Sequence, residues 1–182
     1  MGCGGATMVF FLVIGLVLQA KAGGGDDVVH KWCKITPNYD LCTSIIKADP
    51  RTQLKQSPNG MCVILRDRAV VEVIAADTMV SRYLNNKTKA GFNKYGVECL
   101  QECAGFYGDA IYDLDISDFT IINQTTYTPL AVQVGSAYDG PKTCEECFTE
   151  RPGTTPSPLT SQNHNIQNIS QIILSILYLL GN

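Results

Sequence analysis

Residues 98–103 read ECLQEC and residues 143–147 read TCEEC. The first pair of cysteines is four positions apart and the second three, and both spacings place the two sulfurs on one face of a helix. If the two segments are antiparallel helices, the pairing must nest: Cys103 meets Cys144 and, one turn further out, Cys99 meets Cys147. The result is a double staple between neighbouring helices. Each bridge is expected to add ~2–4 kcal/mol by restricting the unfolded chain. The second closes almost the same loop as the first, so its added entropic gain should be small. Two other readings compete. Four cysteines satisfy the ligand count of a zinc site, but one of the spacings is unusual for zinc and a secreted chain favours oxidation. A redox-active CEEC wants a βαβ surround, which the flanking sequence does not offer.

The compartment therefore matters. The chain opens MGCGGATMVFFLVIGLVLQAKAGGG. An apolar run from Met8 to Leu18 precedes Ala20-Lys21-Ala22, a small-x-small pattern. Residues 1–22 are expected to be a secretory signal peptide, since the run falls short of the roughly 20 apolar residues that a membrane span needs. Removal would leave a chain of about 160 residues, enough for one domain with its own core. It would also remove Cys3 and leave seven cysteines, at 33, 42, 62, 99, 103, 144 and 147. Cys33 and Cys42 form the natural third bridge, and Cys62 is left as a buried thiol. The net charge of −3 and the lack of a basic patch argue against nucleic acid. Asn86, Asn123 and Asn168 each stand in an N-x-S/T triplet and are candidate glycan anchors.

Periodicity supplies the helices. Residues 26–35 and 38–48 read as two short helices that form an N-terminal hairpin, residues 23–52. Ser57-Pro58 caps a long helix in which Val63, Leu65, Ala69, Val70, Val73, Ile74, Ala76, Val80 and Leu84 recur at three- and four-residue steps. A second helix runs through Val97, Leu100, Tyr107, Ile111 and Leu114, with Gly105 and Gly108 marking a face for close approach. A third is expected to start at Thr128-Pro129 and to kink or restart at Gly140-Pro141. The last carries Ile166, Ile169, Ile172, Ile173, Ile176 and Leu177. The expected fold is all-α: an up-down four-helix bundle over residues 53–182, disulfide-stapled and preceded by the hairpin.

Several motifs combine in a fixed order: C…YDLC…SIIKADPRT from Cys33, C-x-x-x-Y-x-DAI-x-DL from Cys103, TCEE-x-F from Thr143 and SPLT-x-x-N from Ser157. In these the chain resembles the plant invertase/pectin methylesterase inhibitors, from about Cys33 to Leu180. The resemblance implies a hairpin bridge Cys33–Cys42 and a bundle bridge Cys103–Cys144. Cys62, Cys99 and Cys147 stand outside the common pattern. It further implies a secreted protein of the apoplast that docks one-to-one on pectin methylesterase or acid invertase and blocks the substrate cleft. No cofactor, metal or catalytic residue is expected. The polar face of residues 107–131, with Asp109, Asp113, Asp118, Gln124 and Tyr127, is the candidate docking surface; a merely solvated face is the competing reading. Some invertase inhibitors carry Pro-Lys-Phe where this chain has TTYTPLAV, residues 125–132, which tilts the expected target towards the esterase. Asp109 and Asp113 could also be read as an acid/base pair, but neither histidine, His30 or His164, lies in a catalytic or metal motif.

Overall fold

The computed structural model describes residues 24–85, 91–150 and 156–181; the expected leader and Asn86 lie outside them. Six α-helices are described: α1 (Gly24–Cys33), α2 (Tyr39–Ala48), α3 (Pro58–Asn85), α4 (Lys94–Ile116), α5 (Gln124–Glu150) and α6 (Thr160–Gly181). A 3-10 turn, Thr52–Gln56, joins α2 to α3. No helix among the described residues is long and apolar enough to cross a membrane.

The last four helices form a closed ring in which α3 packs on α4 and α6, and α5 packs on the same two. Cross-contacts fix their directions. Asn59 and Arg66, early in α3, bond to carbonyls at Thr120 and Ser117 beyond the end of α4, whereas Tyr83 late in α3 meets Phe92 before its start. On α5 and α6, Glu145 pairs with Thr160 and Tyr138 with Gln171. Each neighbour is antiparallel to the last, so the bundle runs up-down-up-down. Its interior takes one stripe from each helix, including Leu65, Ala69 and Val73 of α3, Leu100 and Leu114 of α4, Val134 of α5 and Ile166, Ile173 and Leu177 of α6, all buried. Of the α3 residues picked out by periodicity, Ile74 falls outside this stripe and is 48% exposed.

α1 and α2 are bridged by Cys33–Cys42. The hairpin is not free: α1 lies on the 3-10 turn and α2 on α3, and Val29 and Ile46 enter the common core. Arg51 fastens the junction. It grips Asp49 at 2.6 Å and Asp67 of α3 at 2.7 Å. Hydrogen bonding to Arg51 holds the Asp49 carboxyl below its ordinary value.

α1 runs Gly24–Cys33, two residues earlier than expected, and α5 differs from the sequence expectation in two respects. α5 starts at Gln124, four residues before Thr128, because Asn123 supplies a better cap. Its side-chain oxygen accepts the N–H groups of Thr125 and Thr126 at 2.9 and 3.1 Å. Pro129 therefore sits inside the helix. Gly140-Pro141 does not end it either; α5 is continuous to Glu150. Gly140 marks the close approach of α4, where an added Cβ would lie 3.1 Å from Phe106 Cβ. Gly105 and Gly108, expected to serve that purpose, face open space.

Candidate functional site

Two bridges tie α4 to α5. Cys103–Cys144 has a Cα separation of 4.9 Å, and Cys99–Cys147, one turn further out, has 5.6 Å. All four sulfurs are thus engaged with each other, and the zinc reading has no donors. Among the described residues no cluster of His, Cys, Asp or Glu is placed to hold a metal. Cys62 is fully buried and unpaired, and burial pushes its thiol pKa well up.

A buried polar network backs the staples. Tyr107 donates to Asn163 Oδ1 at 2.5 Å, and Asn163 Nδ2 donates to Glu145 Oε1 at 2.7 Å. Glu145 also accepts from Ser157 and Thr160 at 2.6 and 2.8 Å, gripping the start of α6. Burial raises the Tyr107 pKa, so the phenol stays protonated and remains a donor. Three helices are locked at this end of the bundle.

At the opposite end, α4 stops at Ile116 and Arg66 of α3 closes its C-terminus, bonding to the carbonyls of Leu114 and Ser117 at 3.4 and 3.1 Å. Ser117 turns the chain by donating to Asp113 O at 2.8 Å and Gln133 Oε1 at 2.9 Å. The loop then leads through Asp118 to Asn123.

This arrangement places the five candidate docking residues as follows. Asp109 and Asp113 stand one turn apart on α4, the first exposed and the second half-buried. Asp118 is exposed in the loop, and the backbone N–H of Thr120, 2.9 Å away, lowers its pKa. Gln124 is exposed at the first position of α5. Tyr127 is half-buried, and its ring packs where a Cβ on Gly181 would have to go, which pins the end of α6 to the start of α5. Asp113 and Tyr127 meet at one open depression of ≈ 550 Å³, lined further by Thr128, Val132 and Asp139. The five are not one cluster: they form a band along the α4–α5 flank and over its loop.

Two features of this flank went unread in the sequence. Tyr112 and Val132 stand 65% and 68% exposed on it, offering apolar area among the acids. The stretch from Tyr95 to Pro141 contains Glu98, Glu102, Asp109, Asp113, Asp115, Asp118 and Asp139, yet no Lys, Arg or His. Seven acidic residues fall within this stretch of a chain whose net charge is only −3, with Lys94 paired to Glu98 and Arg66 at the end of α4 as the cations beside them. The signal was available: the missing cations between Lys94 and Lys142 can be counted directly.

Comparison with known proteins matches the geometry. Residues 27–176 fit the family model described as plant invertase/pectin methylesterase inhibitor. A protein of Platanus acerifolia, provisionally named an invertase inhibitor, is 31% identical over 181 residues, covering 95% of each chain. A pectinesterase inhibitor of Actinidia deliciosa is 24% identical across 95% of this chain and 90% of its own. The crystal structure of a mutant pectin methylesterase inhibitor from Arabidopsis superposes with a TM-score of 0.61 over 82% of this chain and 95% of that one. At 18% identity this likeness concerns the fold alone. With the family model spanning most of its length and a relative above 30% identity across nearly all of it, the chain belongs to the plant invertase/pectin methylesterase inhibitor family.

Proposed function

We propose that this protein is secreted to the plant cell wall, inhibits pectin methylesterase there, and does so by laying its α4–α5 flank across the enzyme's substrate cleft. What carries the reading is the run of seven acids and no cation along residues 95–141, which build two helices joined by two bridges. Demethylation turns pectin into a polycarboxylate, so a cleft that handles it has to present cations. An acidic flank complements such a cleft and is steered towards it. Tyr112 and Val132 supply apolar contact between the charges. A doubly bridged helix pair loses little freedom on docking. The five residues Asp109, Asp113, Asp118, Gln124 and Tyr127 belong to this docking surface.

The test is a titration of the purified mature protein against a plant pectin methylesterase and an acid invertase at mildly acidic pH. The expected result is loss of esterase activity near a one-to-one ratio, weakening with added salt. Replacing Asp109 and Asp113 by Lys should weaken inhibition about tenfold or more while the melting temperature holds. Invertase inhibition alone would reassign the target. That second reading is favoured by the greater identity to the Platanus protein than to the Actinidia one. A neutral disaccharide makes no demand for a cationic cleft, so salt should then matter little. Inhibition of neither enzyme, or turnover of pectin or sucrose by the protein itself, would overturn the proposal.

A further inference from the structure

We propose that Asn123 carries an N-linked glycan in the secreted protein and that this glycan controls access to the α4–α5 flank; the second half rests on the docking reading above. The triplet Asn123-Gln124-Thr125 lies where α5 begins, and Asn123 is exposed. Its side-chain Oδ1 is occupied by the N–H groups of Thr125 and Thr126 and, at 2.6 Å, by the Thr125 hydroxyl. The backbone N–H of Asn123 in turn donates to Thr126 Oγ1 at 2.9 Å. All of this uses the carbonyl half of the amide and the backbone. Among the described residues none accepts from Asn123 Nδ2. A sugar on that nitrogen therefore leaves the helix cap intact and projects into solvent.

The chemistry is a glycosyl transfer on the nascent chain. Asn123 Nδ2 forms a bond to the anomeric carbon of an oligosaccharide carried on a polyprenyl diphosphate. The bond from that carbon to the diphosphate oxygen breaks, the polyprenyl diphosphate leaves with the electron pair, and Nδ2 gives up one proton. The folded product must then hold the sugar. Asn168 is poorly suited: it is half-buried in the middle of α6, and the hydroxyl of its triplet partner Ser170 is buried without a hydrogen-bond partner.

Position gives the glycan its consequence. Asn123 adjoins Gln124 in sequence, its carbonyl accepts the N–H of Tyr127 at 2.9 Å, and the loop behind it carries Asp118. Three of the five docking residues thus surround the attachment point, and a branched sugar there stands over the approach to the flank.

The test compares three full-length proteins secreted from plant cells: wild type, Thr125→Ala and Thr125→Ser. Thr125→Ala destroys the triplet but keeps the Asn123 cap, whereas Thr125→Ser keeps both. Peptide mapping should find a glycan on Asn123 in the wild type and in Thr125→Ser, and none in Thr125→Ala. Thr125→Ala, and wild type trimmed to its first sugar, should inhibit with a constant about tenfold lower than untrimmed wild type. Bare Asn123 in secreted wild type overturns the modification site. A glycan present with equal potency in all forms overturns the gating. If no form inhibits either enzyme although Asn123 bears sugar, the site stands, and the gating falls together with the docking reading.

Discussion

Removing the staples one at a time and together tests the nested geometry quantitatively. Cys103–Cys144 closes a loop of 41 residues and Cys99–Cys147 one of 48. Loop-closure entropy assigns either bridge, acting alone, about 4 kcal/mol. Once one is closed, the other shuts only a small ring through the existing bond, made of residues 99–103 and 144–147. For a ring of these nine residues the same relation gives about 2.5 kcal/mol. The second increment is less than the first without being negligible. Cys99→Ala/Cys147→Ala should therefore lose about 2.5 kcal/mol, and the variant lacking both bridges about 6.5 plus whatever loss of the Cys144 sulfur contacts costs the inner-bridge variant. Cys103→Ala/Cys144→Ala should lose a similar amount plus the Tyr107 and Asn163 contacts to Cys144 sulfur. Urea unfolding followed by circular dichroism at 222 nm reads these values. The outer-bridge variant should melt roughly 5–10 °C lower. If the losses of the two single-bridge variants add up to that of the unbridged one, the bridges do not share a loop and the reasoning fails.

Other outcomes can be stated briefly. Gly60→Ala drives a Cβ to 2.2 Å from the Leu54 carbonyl oxygen, which is backbone and cannot swing aside. It should cost more than about 2 kcal/mol in urea unfolding, whereas Gly135→Ala, facing open space inside α5, should gain about 0.5–1 kcal/mol. Tyr107→Phe leaves Asn163 Oδ1 buried without its donor and should cost about 1–3 kcal/mol; an unchanged melting curve would refute the network. The Asp49 pKa lies below its ordinary 3.8, so its stabilisation is complete above that pH and drains away as the pH falls further. Asp49→Asn should lose about 1 kcal/mol at pH 6 and show a shallower acid limb than wild type in a stability–pH series.

The sequence announced the helices through periodicity and the staples through cysteine spacing, because both obey short-range geometry. Ser57 was readable as a cap, and Gly60 N–H does bond to its hydroxyl at 3.1 Å. The start of α5 was misplaced because two caps competed within six residues. Thr128-Pro129 reads as the start, whereas Asn123, which the sequence reading passes over as a cap, satisfies two N–H groups and a hydroxyl at once. Gly140-Pro141 looked like a break, yet the helix continues there, held against α4 by the bridges further along and by the close approach of Phe106. Gly105 and Gly108 showed the opposite error, since local sequence does not say which helix face a neighbour will choose. The proposed docking band was partly visible as acids on a helix. Its exposed Tyr112 and Val132 were hidden, because an apolar residue at helical spacing reads as core until the neighbouring helices are placed. The network of Tyr107, Asn163 and Glu145 joins residues up to 56 positions apart and leaves no local trace.

The odd thiol at Cys62 has a consequence for the protein's lifetime. While the bundle is closed, oxidants and other sulfurs cannot reach it, and it is inert. Any opening that turns the inner face of α3 outward releases a nucleophile which, in the oxidising compartment proposed for this protein, a second chain or one of the existing bridges would capture without ready reversal. Ageing of this inhibitor should thus proceed through covalent cross-linked dimers and scrambled isomers, at a rate set by how often α3 breathes.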